Sequence, residues 1–312
     1  MKKVAFMFPG QGSQKVGMTK EIYEEFPAVQ SMYNQANNIL DDDIVQTMFE
    51  GPNEKLTKTE NAQPALLLSS IAIFQLLKDN VKPVMTVGHS LGEYSALVAA
   101  GSFTLEEALP LVRARGQLME EAFPKGKGSM AAVLGMTKDE IEASLLKLDE
   151  IVDIANYNCP GQIVISGTKK GIEEATHKLK EAGAKRVLPL NVSGPFHSRL
   201  MKDASEKFTH YLNRVNIQNA NIPVYANVTA LPITNKETIK DLLIKQLYSP
   251  VQFEQSIRQM MEDDELDAFV EIGSGTVLCG LLKKINRNMK TFAVHNLDSL
   301  QTFLDWYDKE ES

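Results

Sequence analysis

The residues best placed to do chemistry are Gly88-His89-Ser90-Leu91-Gly92. A serine between two glycines suits the tight strand-to-helix turn that lifts a nucleophilic hydroxyl above a sheet. Side chains in place of either glycine would crowd that turn. The apolar run Val84–Val87 before it reads as the strand, and Glu93–Ala100 after it reads as the helix. At the helix start, the Leu91 N–H points toward a developing oxyanion. The competing reading is a serine in an ordinary turn.

Serine is a weak nucleophile at neutral pH and needs a base. The chain has five histidines. His89 lies inside the turn, is expected to point away from Ser90, and reads as structural. His177 and His210 lie in polar helical stretches and read as surface residues, and His295 follows a short apolar run. His197 stands in Val192-Ser193-Gly194-Pro195-Phe196-His197-Ser198, a loop of turn residues that suits a cleft. Composition alone gives His197 only a modest lead.

Phe8-Pro9-Gly10-Gln11-Gly12-Ser13-Gln14 follows an apolar run but is not a dinucleotide fingerprint, because Lys15 stands where the third glycine would be. A Gly-rich loop of this kind can instead offer a backbone N–H to an oxyanion. Gln11 is the natural donor, completing a two-donor hole with Leu91.

Arg115 has Leu111, Val112, Leu118 and Met119 as helical neighbours, so it should face inward. Thr104 and Glu107 have the spacing of a capping box at the start of that helix. A buried guanidinium needs an anion or several acceptors. One reading is a structural salt bridge or carbonyl clamp. The other is a bidentate grip on a substrate carboxylate.

These groups need a scaffold. Lys3–Phe8, Val84–Val87 and Ala268–Ile272 are apolar runs that each meet glycine before a helical pattern. Strands alternating with helices imply an α/β fold with a parallel sheet covered on both faces. The mostly apolar stretch 64–77 reads as a buried helix rather than a membrane span. From about 129 to 189 the rhythm changes to strand, helix, strand, strand, helix, strand, the ferredoxin-like α+β order. The strands are expected at Ser129–Leu134, Ile151–Ala155, Gln162–Ser166 and Arg186–Pro189, the helices at Lys138–Leu148 and Gly171–Ala182. The organisation expected is a large α/β-hydrolase-like catalytic domain, residues 1–125 and 193–312, with a small ferredoxin-like domain, 126–192, inserted into it. The acidic trio Asp41–Asp43 reads as a solvated turn.

Length and composition bound the function. The 312 residues exceed one compact core, and the net charge of -7 argues against nucleic acid as the main partner. The start has too short an apolar run for a secretory signal. Cys159 and Cys279 fit no metal spacing and no disulfide framework, which suits a reducing cytoplasm and buried, inert thiols. No metal or permanently bound cofactor is expected, and no membrane.

Taken in order, these segments resemble the malonyl-CoA:acyl carrier protein transacylases of fatty-acid synthesis. The resemblance runs nearly end to end. It rests on Phe8–Gln14, Asn61-Ala-Gln-Pro-Ala-Leu66, Gly88-His-Ser-Leu-Gly-Glu-Tyr-Ser-Ala-Leu97, Arg115-Gly116, Asn158–Gly161 ahead of Gln162, Gln246-Leu-Tyr-Ser-Pro-Val-Gln252 and Glu271-Ile-Gly-Ser-Gly275. Cys159 and Ser274 depart mildly from the family pattern.

The resemblance implies that Ser90 carries the acyl group and that His197 acts as base and acid, oriented by a backbone carbonyl. It implies that Gln11 and Leu91 form the oxyanion hole and that Arg115 grips the malonate carboxylate. Gln252 is implied as a further active-site glutamine. Gln63 lines the cleft or merely starts a helix, and Asn158, in a loop of the small domain, faces the cleft. Phe196 before His197 is the pattern of malonyl-selective members, because its ring would crowd an α-methyl group. The implied donor is malonyl-CoA, a coenzyme A thioester used as substrate. The implied acceptor is acyl carrier protein, reached across a basic rim at Lys283, Lys284 and Arg287 or at Lys185 and Arg186. A monomer is expected. A serine hydrolase and a non-catalytic binding module are the alternatives from other classes.

Overall fold

The structure, a computed structural model, describes residues 2–309. Ten strands are numbered in chain order: β1 Val4–Phe8, β2 Pro83–Gly88, β3 Gly128–Leu134, β4 Val152–Cys159, β5 Gln162–Thr168, β6 Arg186–Pro189, β7 Val224–Tyr225, β8 Pro232–Ile233, β9 Ala268–Ile272 and β10 Thr291–Val294. They form a six-stranded sheet, β10-β9-β1-β2-β7-β8, and a four-stranded sheet, β4-β5-β3-β6.

The large sheet is parallel from β10 to β7, and only β8 runs against its neighbour. Every residue of β1 is buried, as a central strand with both faces covered requires. Phe6 and Phe8 point into one core layer, and Ala5 and Met7 into the other. The first layer includes the helix Thr59–Leu77, which is buried along most of its length as its composition predicts. Among the described residues no helix is long and apolar enough to cross a membrane.

The small sheet is antiparallel throughout. The helices Lys138–Leu145 and Lys169–Glu181 complete the ferredoxin-like order. Two expectations shift here. The first helix ends at Leu145 rather than Leu148, and β4 runs on to Cys159, so Asn158 lies on a strand and not in a loop.

The small sheet is tied to the segment that precedes the helix Phe253–Asp263. Val251 forms a bridge with Asn156, its N–H donates to the Ala155 carbonyl, and its carbonyl accepts from Tyr157. The acidic trio does more than face solvent. Asp43 caps the helix Ile44–Glu50 by accepting from the Gln46 N–H, and Asp42 pairs with Arg113 at 3.0 Å. Ser274 donates its hydroxyl to the Ser13 carbonyl and so tethers the Gly-rich loop after β1.

Candidate active site

β1, β2 and β7 end side by side, and the groups with chemistry sit just past their carboxyl ends, where open α/β sheets hold ligands. The turn after β2 has no room for side chains at its glycines. A Cβ on Gly88 would lie 1.9 Å from the Gly92 carbonyl carbon, and one on Gly92 would lie 2.0 Å from the Phe8 oxygen. Ser90, at the apex, takes a left-handed backbone with φ 51°. Non-glycine residues rarely hold that conformation without surrounding constraint. The constraint here includes Asn227, just past β7. Its Oδ1 accepts from the Ser90 N–H at 2.8 Å, and its Nδ2 donates to the Gly88 carbonyl.

His197 is buried and also left-handed, with φ 59°. Its Nδ1–H donates to the Gln246 carbonyl at 2.8 Å, which leaves Nε2 free to accept from the Ser90 hydroxyl at 2.8 Å. That is the neutral tautomer a general base needs. Burial, reinforced by the positive charge of Arg115, pulls its pKa down to about 3. The imidazole is therefore uncharged at neutral pH, with its one proton on Nδ1.

Arg115 comes from the helix Leu105–Glu121, whose start carries the expected capping box. It is fully buried. Nη1 donates to Gln63 Oε1 at 2.8 Å, and Nη2 donates to Gln246 Oε1 at 2.9 Å and to the Ser90 hydroxyl at 3.1 Å. The Tyr94 ring lies 5.3 Å from the guanidinium carbon. All three acceptors are uncharged. Among the described residues no carboxylate lies within salt-bridge distance of this cation.

The Leu91 N–H opens the helix Gly92–Ala99, and Gln11 lies in the loop after β1. Among the described residues neither N–H donates to a backbone acceptor. A cleft of about 370 Å³ spans the site, lined by Gln11, Gly12 and Gln14 on one side and by Met130, Asn156 and Val192 on the other. His89, Ser90, Met119, Phe196 and His197 line it as well. The arrangement comprises a serine, a neutral base, a Gly-rich loop at the cleft and, among the described residues, a cation without a carboxylate. It is equipped to accept and pass on an acyl group.

A family model described as acyl transferase domain matches residues 5–297. The chain belongs to the acyl transferase family. It is 49% identical over 314 residues to a malonyl CoA-acyl carrier protein transacylase of Bacillus subtilis (strain 168), covering 99% of each chain. It is 51% identical over 304 residues to the protein of that description from Staphylococcus aureus (strain MRSA252), covering 96% of this chain and 98% of the relative. Among solved structures, an acyl carrier protein S-malonyltransferase from Vibrio cholerae superposes with a TM-score of 0.94 at 41% identity, covering 96% of this chain and 99% of that one. A malonyl-transacylase in complex with its type II polyketide acyl-carrier protein gives a TM-score of 0.94 at 39% identity, covering 97% and 99%.

The geometry corrects two implied residues of the acyltransferase, Gln252 and Asn158. Gln252 does not join the cluster around Ser90. Its Nε2 donates to the Val228 carbonyl, and the residue sits at the start of the helix Phe253–Asp263. The glutamine that joins is Gln246, the last residue of the helix Lys236–Gln246. Its carbonyl holds His197, its Oε1 faces Arg115, and its Nε2 donates to the Ser90 carbonyl at 2.9 Å and to Glu93 Oε2 at 2.7 Å.

The other expected residues fall as follows. Gln63 is buried against Arg115 rather than lining open cleft. Phe196 is buried at the cleft wall. Asn158 Oδ1 accepts from His89 Nε2 at 2.8 Å, so it braces the turn, and Asn156 is the asparagine at the cleft. His89 lies at the cleft too, closer to the site than expected. His177 and His210 are exposed, and both cysteines are buried and unpaired.

Glu93 and Asn227 join the site without having stood out in the sequence. Glu93 is buried directly behind Ser90, and burial pushes its carboxyl up to about 7 against the lowering effect of its hydrogen bonds and of Arg115. A lone charge opening the apolar run Tyr94–Ala100 was its available signal.

Proposed function

We propose that this acyltransferase moves a malonyl group from malonyl-CoA to the phosphopantetheine thiol of acyl carrier protein through a malonyl-serine ester. The observation that carries this is Arg115, a buried cation 3.1 Å from the Ser90 hydroxyl that has no carboxylate partner among the described residues. A malonyl group brings the missing anion. Its free carboxylate can replace the neutral acceptors on the guanidinium with charge-assisted, bidentate bonds.

The chemistry follows from the remaining groups. His197 Nε2 takes the proton of Ser90 as Oγ attacks the thioester carbon. The Gln11 and Leu91 N–H groups hold the oxyanion. As the tetrahedral intermediate collapses, the carbon–sulfur bond breaks, and the imidazolium returns its proton to the departing coenzyme A thiol. The carrier thiol then gives its proton to His197 and attacks the malonyl ester, and Ser90 leaves with that proton. Burial disfavours the imidazolium, so its proton is passed on readily.

Two features support the rest of the reading. His197 is held by a main-chain carbonyl rather than by the carboxylate expected of hydrolases with this turn. Two unpaired, buried cysteines suit the cytoplasm. Lys283, Lys284, Arg287, Lys185 and Arg186 are candidates for the surface that meets an acidic carrier, and all five are exposed.

The test is transfer from malonyl-CoA and from acetyl-CoA, with and without carrier protein, for the native chain and for Arg115→Ala. Malonyl preference that disappears in the variant supports the reading. Acetyl preference in the native chain, or coenzyme A release that is indifferent to carrier protein, overturns it.

A further inference from the structure

Glu93 touches neither the cleft nor the Ser90 hydroxyl, yet among the described residues it is the one carboxylate bonded into the buried cluster behind them. Its Oε2 accepts from Gln246 Nε2 at 2.7 Å and from the Asn227 N–H at 3.2 Å. Gln246 Nε2 also meets the Ser90 carbonyl at 2.9 Å and Asn227 Oδ1 at 3.3 Å. Three acceptors thus surround the nitrogen of this amide. Its oxygen has only Arg115 to face, at 2.9 Å.

An amide has two orientations related by a flip. The flipped one would set Gln246 Oε1 against a carboxylate and two carbonyl oxygens. It would also turn the NH2 group onto a guanidinium. The carboxylate contributes most to this bias, because a hydrogen bond to an ionised group is about twice as strong as a neutral one. Residue 246 has two outputs. Its side chain faces the cation proposed to hold the substrate carboxylate, and its carbonyl holds the base.

We propose that Glu93 is a positioning residue for acyl transfer, acting through Gln246 to fix which amide atom faces Arg115 and to hold the carbonyl that orients His197. The proposal rests on the malonyl-transfer reading for its substrate but not for its geometry. Removing the charge at 93 frees the amide to turn, leaves Arg115 facing a donor, and weakens the grip on a carboxylated acyl group more than on a plain one.

The experiment is a double-mutant cycle on the full chain. kcat and KM are measured for malonyl-CoA and acetyl-CoA in the native protein, Glu93→Gln, Gln246→Ala and the double variant. Glu93→Gln is expected to lower kcat/KM for malonyl about 10- to 100-fold, the range of a hydrogen bond to a charged group, and for acetyl by less. In the double variant it adds nothing to Gln246→Ala, as for two residues acting along one path. Penalties that multiply, or an equal fall for both donors, overturn the proposal. Should Glu93→Gln fail to fold, Glu93→Met, which also removes the charge at similar size, takes its place in the cycle, and the same two results support or overturn the role. A native chain that transfers no malonyl overturns the functional reading instead. The coupling is then read from the rate at which a fluorophosphonate labels Ser90, and independent effects there overturn the positioning role alone.

Discussion

The large sheet and the small sheet face one cleft, but they contribute to it in different ways. The large-sheet side brings polar groups in fixed orientations: Ser90, Asn227, Glu93, Gln246 and Arg115 are linked by hydrogen bonds of 2.7–3.3 Å. The small-sheet side, with the chain returning from it, brings mostly surface: Met130, Val192 and Phe196 at the cleft and a hydrogen bond that Asn158 Oδ1 accepts from His89. His197 belongs to the returning chain, yet both of its ring nitrogens are engaged by residues of the large-sheet side. The contrast teaches where the chemistry resides. Bond making is set by the first side, and the second shapes what can enter.

Substitutions can break that contrast. The largest effect is expected at Ser90→Ala, where transfer should fall by at least about 10⁴-fold, as in other enzymes that lose an acyl-forming serine. Mass spectrometry of the native chain with malonyl-CoA alone should show a malonyl adduct on a peptide containing Ser90, and none in the variant. Next comes Arg115→Ala, for which the malonyl-to-acetyl preference should drop about 100-fold, the loss of a charge-assisted bidentate contact. Phe196→Ala on the opposite side should raise methylmalonyl transfer relative to malonyl by about 10-fold, since one methyl group is worth about 1–3 kcal/mol. The smallest effect is expected at Asn158→Ala, a several-fold fall shared by all donors, equivalent to about 1 kcal/mol for one neutral hydrogen bond. If Asn158→Ala or Phe196→Ala slowed every donor as much as Arg115→Ala slows malonyl, the division between chemistry and entry would fail.

Acidity sharpens the comparison further. A depressed His197 pKa keeps the base neutral from above 6.5 down to about 3, so the imidazole imposes no loss of rate near pH 6.5. Glu93 moves the other way, up to about 7, with Arg115 and Tyr94 as the charged and titratable groups that face it. If its ionised form orients Gln246, the rate should rise with pH through about 7, and Glu93→Gln should flatten that limb. Stability carries the opposite sign. A carboxyl whose pKa is raised on folding stabilises the fold below about 4.5 and loses that contribution as pH rises through about 7. Thermal unfolding of the native chain and Glu93→Gln across that interval measures it.

Local sequence revealed Ser90 and Arg115 on the large-sheet side, but not Asn227, Glu93 or Gln246. The turn at Ser90 is legible because its constraints are neighbours in the chain: a strand before, a helix after, and glycines where a Cβ would collide. Arg115 is legible because its helical neighbours are apolar. The small domain follows from the alternation of its elements. Partners brought together from afar are not legible in this way. Asn227 and Gln246 reach Ser90 only when β7 pairs with β2 and the C-terminal end of the helix Lys236–Gln246 is brought against the turn. Between Gln252 and Gln246 the sequence does hold a deciding signal, because Ile239, Leu242, Leu243 and Gln246 form one buried helical stripe. That 3.6-residue rhythm marks Gln246 as the inward glutamine.

The left-handed backbone at Ser90 and His197 has a consequence for how this chain can be improved. Glycine adopts φ near 50–60° without the penalty a side chain incurs, which is worth about 1 kcal/mol. Ser90→Gly would therefore relieve torsional strain at a position where no glycine can serve, whereas at His197 the buried ring and its bond to the Gln246 carbonyl outweigh that gain. Selection for a more heat-resistant protein, with no demand on turnover, would drift toward erasing the very residue that holds the acyl group.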